Sequence, residues 1–191
     1  MTDLGRPDDV AAAMAELDRR WFLPPDQRPY AHEDRPLPLG HGQTNSQPST
    51  VAAMLRLLQV PVGVRVLDVG AGSGWTTALL ARLVGPTGTV VGVELEPDLA
   101  ERGAENLTAC AMPWACLEMA RPGVLGHPVE AGWDRILVSA TARELPTELV
   151  DQLGDRGRMV LPVRHTLWLV ERHGDRIDRV PHGSYLFVPL R

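Results

Sequence analysis

Two carboxylates flank a glycine-rich turn in the first half of the chain. The stretch "VLDVGAGSGW" runs from Val66 to Trp75, and its glycines are spaced as G-x-G-x-G. Asp68 lies just before the turn, and Glu94 ends the next apolar run, twenty positions after the last glycine. Glycines let a backbone turn sharply and approach a ligand, and a following helix presents unpaired N–H groups. A carboxylate at position 94 is placed to accept both hydroxyls of a ribose.

The glycine spacing distinguishes two classes of nucleotide-binding protein. The dinucleotide fingerprint would be G-x-G-x-x-G, whereas here Ser73 is followed directly by Gly74, the closer spacing typical of S-adenosylmethionine binders. The predicted cofactor residues around this turn and the following strand are Asp68, Gly70, Ala71, Gly72, Ser73, Gly74, Glu94 and Leu95. Two simpler interpretations remain open: glycines that only turn a strand into a helix, and an Asp68 that only caps the loop.

A second polar stretch, "GHGQTNSQPS" from Gly40 to Ser49, precedes the glycine turn; it is called the lid segment below. It is uncharged apart from His41, and it carries neither a metal-binding spacing nor a nucleophile–base pair. Its simplest interpretation is a helix start, with Ser46 or Gln47 capping a helix that begins at Pro48.

Apolar patterning places these stretches in an alternation of strands and helices. Buried strands are predicted at "VRVLDVG", "GTVVGVELE", "WDRILVSA" and "GRMVLPV", and helices at "PSTVAAMLRLL", "WTTALLARLVG", "PDLAERGAENL" and "PTELVDQLG". The chain should end in antiparallel strands around a turn at Gly174–Asp175. This order predicts an α/β sandwich with a mostly parallel central sheet and antiparallel C-terminal strands.

Two regions are harder to assign. A helix-like stretch from Val10 to Trp21 leads into a segment with prolines at 24, 25, 29, 36 and 38, which should exclude regular structure there. We expect this segment to lie over the domain and to bury the rings of Trp21, Phe22 and Tyr30. No element is predicted between Thr108 and Gly132. All of residues 1–191 are predicted to form one domain, with residues 1–47 as an N-terminal helix and lid packed on it.

Composition restricts the setting in which the protein works. The net charge of −5 and the scattered Lys and Arg argue against nucleic-acid binding. No apolar stretch approaches a membrane span, and the start lacks a signal-peptide layout. Cys110 and Cys116 form no disulfide framework, and the six histidines have no metal-binding spacing. We therefore expect a cytoplasmic protein without a metal.

Three stretches together resemble the protein-L-isoaspartate O-methyltransferase family: "PLPLGHGQTNSQPSTVAAMLRLL", "RVLDVGAGSGWTTALLARLVGPTGTVVGVE" and "LPTELVDQLGDRGRMVLPV". The resemblance implies a Rossmann-like methyltransferase fold, S-adenosyl-L-methionine as cofactor, and an isoaspartyl- or aspartyl-containing peptide or protein as substrate. It further implies that the lid segment closes over the cofactor. Ser46 is then the active-site residue, and Gln43, Thr44 and Asn45 lie beside the cofactor.

The chain departs from the family pattern in three places. Where the family has a "GDG" turn near the adenine, this sequence has Arg121, Pro122 and Gly123, so the acid is missing while Gly123 is kept as a cofactor residue. Arg143 replaces a proline after the fourth predicted strand; it either favours an acidic substrate or is a solvated surface residue. The family's "PVG" loop is shortened to "PVRHTLW".

Three functions are compatible with these features. The first is methylation of the carboxylate of L-isoaspartyl residues, a protein-repair reaction. The second is methylation of an aspartyl carboxylate in one dedicated partner peptide. The third is a degenerate cofactor-binding module, against which the presence of Ser46, Asp68, the glycine turn and Glu94 argues.

Overall fold

A seven-stranded sheet organises the protein. The computed structural model describes residues 7–191, so the first six residues of the predicted domain lie outside the described residues. The strands are β3 (Arg65–Val69), β4 (Thr89–Glu94), β5 (Ala115–Met119), β6 (Trp133–Val138), β7 (Leu153–Val163), β8 (Thr166–His173) and β9 (Arg176–Ser184). Their order in the sheet is β5-β4-β3-β6-β7-β8-β9. The first five of these are parallel, and β8 and β9 are antiparallel, which confirms the predicted fold class.

Helices cover this sheet, and a small hairpin precedes it. The helices are α1 (Pro7–Glu16), α2 (Pro48–Leu58), α3 (Trp75–Val84), α4 (Pro97–Ala109) and α5 (Thr147–Asp151), and the 3₁₀ helices are Arg19–Phe22 and Arg28–Tyr30. The hairpin consists of β1 (Leu37–Gly40) and β2 (Gln43–Asn45), paired antiparallel. Each helix predicted from Pro48 onward is present.

The sheet separates two hydrophobic clusters, one on each of its faces. Val66 packs with α1, α2 and α3, whereas its neighbour Leu67 packs with α5. The same alternation occurs in β6, where Leu137 joins the first cluster and Ile136 and Val138 join the second. Successive side chains of a strand point to opposite faces of a sheet, so the strands in the middle of the sheet are buried on both sides.

The N-terminal region differs from its prediction. The predicted helix from Val10 to Trp21 ends at Glu16, and a 3₁₀ turn begins after Asp18, whose side chain accepts the N–H of Arg20 at 2.8 Å. The proline-rich segment contains regular structure after all, because a proline suits the first 3₁₀ turn and the edge of a short hairpin. Phe22 is buried as predicted, but the rings of Trp21 and Tyr30 are 57% and 43% exposed.

A strand is also present where none was predicted. β5 lies at the edge of the sheet, and of its five residues only Leu117 is buried. An edge strand with one buried side chain has no apolar run, so the patterning that identified the central strands has nothing to detect here.

Candidate active site

A cavity of about 360 Å³ opens where the parallel strands end. The carboxyl ends of β3, β4 and β6 meet at one edge of the sheet, which is where ligands bind in open α/β sheets. The predicted site residues that line this cavity are Gln43, Thr44, Asn45, Ser46, Gly70, Ala71, Gly72, Ser73, Glu94, Leu95 and Gly123. Asp68 and Gly74 lie outside its lining.

The glycine turn is shaped by both its backbone angles and a close neighbour. Gly70, Gly72 and Gly74 all have positive φ, the region that favours glycine. A Cβ at position 74 would lie 2.9 Å from the carbonyl oxygen of Gly103 in α4. Gly74 therefore allows α4 to approach the turn closely. Its role is in this packing, outside the lining of the cavity.

Glu94 is fixed at the end of β4 by three backbone N–H groups. Its carboxylate accepts Gly72 N at 2.7 Å, Leu95 N at 2.8 Å and Glu96 N at 3.0 Å. The residue is buried, yet it lines the cavity. A buried carboxylate with hydrogen-bonding capacity left is suited to accept vicinal hydroxyls of a ligand.

Asp68 faces the helix rather than the cavity. Its Oδ2 accepts the hydroxyls of Thr76 and Thr77, both at 2.8 Å, while its Oδ1 is buried without a partner. Burial raises the pKa of Asp68 to about 6, against the lowering effect of the two threonine hydroxyls; the nearby Glu94 charge raises it further. This geometry favours the capping interpretation, and a cofactor contact for Asp68 stays a prediction.

The lid segment joins the glycine turn through Asn45. This side chain is buried, and its Nδ2 donates to the hydroxyl of Ser73 at 3.3 Å. In addition, Leu39 of β1 contributes to the cavity lining. The hairpin therefore forms part of the cavity wall, to which the loop that follows β5 also contributes.

The helix-cap interpretation of the lid segment is confirmed for the position of Gln47 but not for its side chain. Gln47 occupies the cap position of α2, but its side chain makes no cap hydrogen bond. Asp34 caps the helix instead: it accepts Ser49 N at 2.9 Å and Gln47 Nε2 at 3.0 Å. Ser46 is left to line the cavity.

A second, larger groove of about 690 Å³ adjoins the cavity. The two share Thr44, Ser46, Ser139 and Val188. Beyond these residues the groove is bordered by Pro36 and the segment from Ser184 to Phe187, with Leu186 85% exposed. Ser46 thus stands at the junction between the cavity and the adjoining groove.

The C-terminal segment completes the cavity, a role that no pattern in the sequence indicated. Residues 188–191 line it together with Ser139 and Ala140. Thr141 holds the segment in place: its N–H donates to Val188 O at 2.8 Å, and its carbonyl accepts Leu190 N at 2.9 Å. Arg191 is also paired with Glu96, just beyond the end of β4.

The positions that depart from the family pattern lie in different places. Arg121, Pro122 and Gly123 follow β5 and line the cavity, in agreement with the match to the family's turn near the adenine. Arg143 is exposed, and only its carbonyl is engaged, by Arg164 Nε at 3.1 Å. This placement favours the surface interpretation of Arg143.

Two absences hold for residues 7–191. No group of three or more His, Cys, Asp or Glu side chains in this range is arranged to hold a metal ion. None of the helices there is long and apolar enough to cross a membrane.

Comparison with known proteins gives consistent matches. Residues 3–191 match the family model "Protein-L-isoaspartate(D-aspartate) O-methyltransferase (PCMT)". The protein-L-isoaspartate O-methyltransferase of Methanopyrus kandleri is 45% identical over 190 residues, covering 97% of this chain and 84% of the relative.

Two solved structures share the fold over 96% of this chain. A protein-L-isoaspartate O-methyltransferase superposes with a TM-score of 0.86 at 27% identity, and this chain spans 61% of its length. A Plasmodium falciparum protein of the same name, in complex with S-adenosyl-L-homocysteine, gives a TM-score of 0.82 at 26% identity over 90% of that chain.

Proposed function

The chain belongs to the protein-L-isoaspartate O-methyltransferase family, and we propose that it methylates the carboxylate of L-isoaspartyl residues in peptides or proteins, with S-adenosyl-L-methionine as methyl donor. The observation that carries this proposal is the position of Ser46, which lines both the cavity and the adjoining groove. A cofactor in the cavity and a peptide in the groove would meet at this residue.

The chemistry asks for positioning rather than for a base. A carboxylate with a pKa near 4 is already ionised at pH 7. One of its oxygens attacks the methyl carbon, and the carbon–sulfur bond breaks with its electron pair moving to sulfur. This gives a methyl ester and S-adenosyl-L-homocysteine without any proton transfer. In-line orientation in a site that excludes water lowers the barrier by up to about 7–11 kcal/mol in favourable cases.

The junction between cavity and groove supplies uncharged donors for this purpose. Thr44, Ser46 and Ser139, each of which carries a hydroxyl, line both spaces. Such groups hold a carboxylate by hydrogen bonds without the strong pairing that a lysine ammonium would impose, so the oxygen keeps its nucleophilicity. Ser46 is the proposed catalytic residue because the resemblance to the family implies that role for it and because it borders both spaces.

The cavity fits the proposed cofactor. Glu94 offers a fixed carboxylate for ribose hydroxyls, and the glycine turn leaves room for close approach of the backbone. Gln43, Thr44 and Asn45 border the cavity from the lid segment, and Gly123 and its neighbours border it from the loop after β5. When bound, S-adenosylmethionine supplies an electrophilic methyl group on a sulfonium.

The product suggests the biological role. The methyl ester of an isoaspartyl residue cyclises to a succinimide, and hydrolysis of the succinimide restores part of the normal aspartate. We further propose that residues 1–191 act as one domain in a reducing, cytoplasmic setting. Both cysteines, Cys110 and Cys116, are free thiols, and the net charge of −5 speaks against a nucleic-acid partner.

A methyl-transfer assay with isotopically labelled cofactor tests the proposal. An isoaspartyl peptide is compared with the same peptide carrying normal aspartate. Base-labile label on the isoaspartyl peptide alone is the expected result. Label on the aspartyl peptide would indicate a dedicated aspartyl substrate instead. Label on neither, with S-adenosyl-L-homocysteine still bound, would show a degenerate cofactor-binding module.

A further inference from the structure

Arg19 is buried directly behind the lid segment. Only 4% of this residue is exposed, although arginine is rarely buried unless it is paired. It lies in the first 3₁₀ helix, just after α1, and does not line the cavity. Its guanidinium therefore acts on the site only through the residues that it contacts.

The guanidinium holds the lid segment by its backbone. Its Nη2 donates to the carbonyl oxygens of Asn45 and Ser46, both at 2.9 Å, and its Nε donates to the side-chain oxygen of Asn45 at 2.6 Å. The remaining bonds reach the carbonyl oxygens of Glu33 at 3.1 Å and Arg35 at 2.9 Å. One side chain thus joins two separate stretches of the chain at the position of Ser46.

The same guanidinium contacts a wall of the cavity. It lies 5.6 Å from the ring centroid of Trp75, which lines the cavity and whose Nε1 donates to Leu17 O at 3.1 Å. A cation over an indole face is a favourable contact. Asn45 in turn donates to Ser73 in the glycine turn. The contacts of Arg19 therefore reach the lid segment and Trp75 directly, and the glycine turn through Asn45.

All five hydrogen bonds of Arg19 end on neutral oxygens. Burial lowers the pKa of Arg19 to about 10, an effect that the charge of Arg35 increases and that of Asp34 opposes. The side chain is nevertheless protonated at pH 7. A buried cation is retained at a cost, since the loss of its solvation must be offset by these neutral oxygens, the Trp75 face and the charge of Asp34.

On these contacts, and resting on the function proposed above, we propose that Arg19 is a positioning residue that fixes Ser46 and Asn45 for methyl transfer. Lysine cannot replace it, because the three N–H donors of an ammonium group are centred on one nitrogen. The planar guanidinium of arginine has donors on three nitrogens and bonds carbonyls of two separate chain segments at once. Loss of the guanidinium frees the Asn45 and Ser46 carbonyls, and Ser46 then samples orientations that do not meet the carboxylate.

The test compares Arg19→Lys and Arg19→Gln with Arg20→Lys, which makes the same exchange at the exposed neighbouring position. Single-turnover methylation of an isoaspartyl peptide is measured with saturating cofactor and peptide, and the affinity for S-adenosyl-L-homocysteine is measured by calorimetry. We expect turnover to fall about tenfold or more in both Arg19 variants, with less than about threefold change in affinity. Arg20→Lys should match the wild type.

A stability control distinguishes a positioning role of Arg19 from a purely structural one. Val10→Ala removes core packing in α1, away from the lid segment, and it should lower the melting temperature without lowering turnover of the folded enzyme. Three results would overturn the proposal: turnover in the Arg19 variants within about twofold of Arg20→Lys, an equal loss of cofactor affinity and turnover, or unfolding of both Arg19 variants at assay temperature. Failure of the wild type to methylate the peptide would instead overturn the proposed function.

Discussion

The carboxylate of Glu94 accepts the backbone N–H of Gly72 at 2.7 Å. This bond joins the end of β4 to the turn after β3, so the acid and the glycine turn form one rigid unit. The N–H groups of Leu95 and Glu96 hold the other carboxylate oxygen. The ligand therefore meets a carboxylate whose orientation is set before binding.

Glu94→Ala should weaken the binding of S-adenosyl-L-homocysteine by about 1.5–3 kcal/mol, the range for hydrogen bonds to a charged group. The loss arises because the ribose hydroxyls no longer meet a fixed acceptor. Titration calorimetry checks the value. Glu101→Ala, on the exposed face of α4, is the matched control and should bind normally. Unchanged affinity in folded Glu94→Ala would show that the acid only braces the turn.

Ser46→Ala should lower turnover by about tenfold to a hundredfold, which corresponds to one positioned hydrogen bond of about 1.5–3 kcal/mol. Cofactor affinity should change much less, because an interaction made only as the carboxylate approaches the methyl group affects turnover. Single-turnover kinetics and the melting temperature are measured together.

The control for Ser46 is Ser49→Ala, an exposed serine in the first turn of α2 whose side chain bonds Asp34. This variant should lose a fraction of a kcal/mol up to about 1 kcal/mol of stability and keep normal turnover. The assignment of Ser46 fails if Ser46→Ala behaves in the same way, destabilised but fully active.

Pro122→Asp should tighten the binding of S-adenosyl-L-homocysteine, since it restores an acceptor at the cavity wall where the family has an acid. The gain should be absent with S-inosyl-L-homocysteine, in which an oxygen replaces the exocyclic amine. Calorimetry with both ligands isolates that contact. An equal change for the two ligands would mean that position 122 does not face the adenine amine.

Asp68 should make the protein less stable as the pH rises from about 4 to above 6. Its pKa is about 6 in the folded protein against an ordinary 3.8, so the folded state holds the proton more tightly than the unfolded state does. The stability from this proton is complete below pH 4 and is lost as the pH passes through 6, a difference of about 3 kcal/mol.

Urea unfolding without cofactor, repeated from pH 4 to 7.5, measures the contribution of Asp68 to stability. The contribution is the difference in the free energy of unfolding between the wild type and Asp68→Asn at each pH. Taking the difference cancels the opposite trend from carboxyls such as Asp34 and Asp155, whose pKa values are lowered. Asp175→Asn, at an exposed turn, should follow the wild type. Parallel curves for wild type and Asp68→Asn would contradict the raised pKa.

The sequence by itself determined the parallel sheet, the glycine turn, the position of Glu94 and the helix from Pro48. Each of these is a local pattern in the sequence: an apolar run, a set of closely spaced glycines, an acid at the end of a predicted strand, or a proline before an apolar stripe. In the structure the glycines have positive φ and the proline begins α2. Such patterns involve only residues that are close together in the chain, so they can be recognised before the fold is known. The Ser46 role came from the resemblance rather than from any pattern.

Only the tertiary structure decided what surrounds Ser46. Nothing in the sequence distinguishes Arg19 from the other arginines, yet the fold brings it into contact with Asn45 and Ser46, which lie 26 and 27 residues further along the chain. The C-terminal segment becomes a cavity wall because Thr141 holds it across the strand ends. Likewise, Asp68 faces the threonines of α3 and does not line the cavity. Contacts between distant residues depend on how the elements pack, and no local pattern records them.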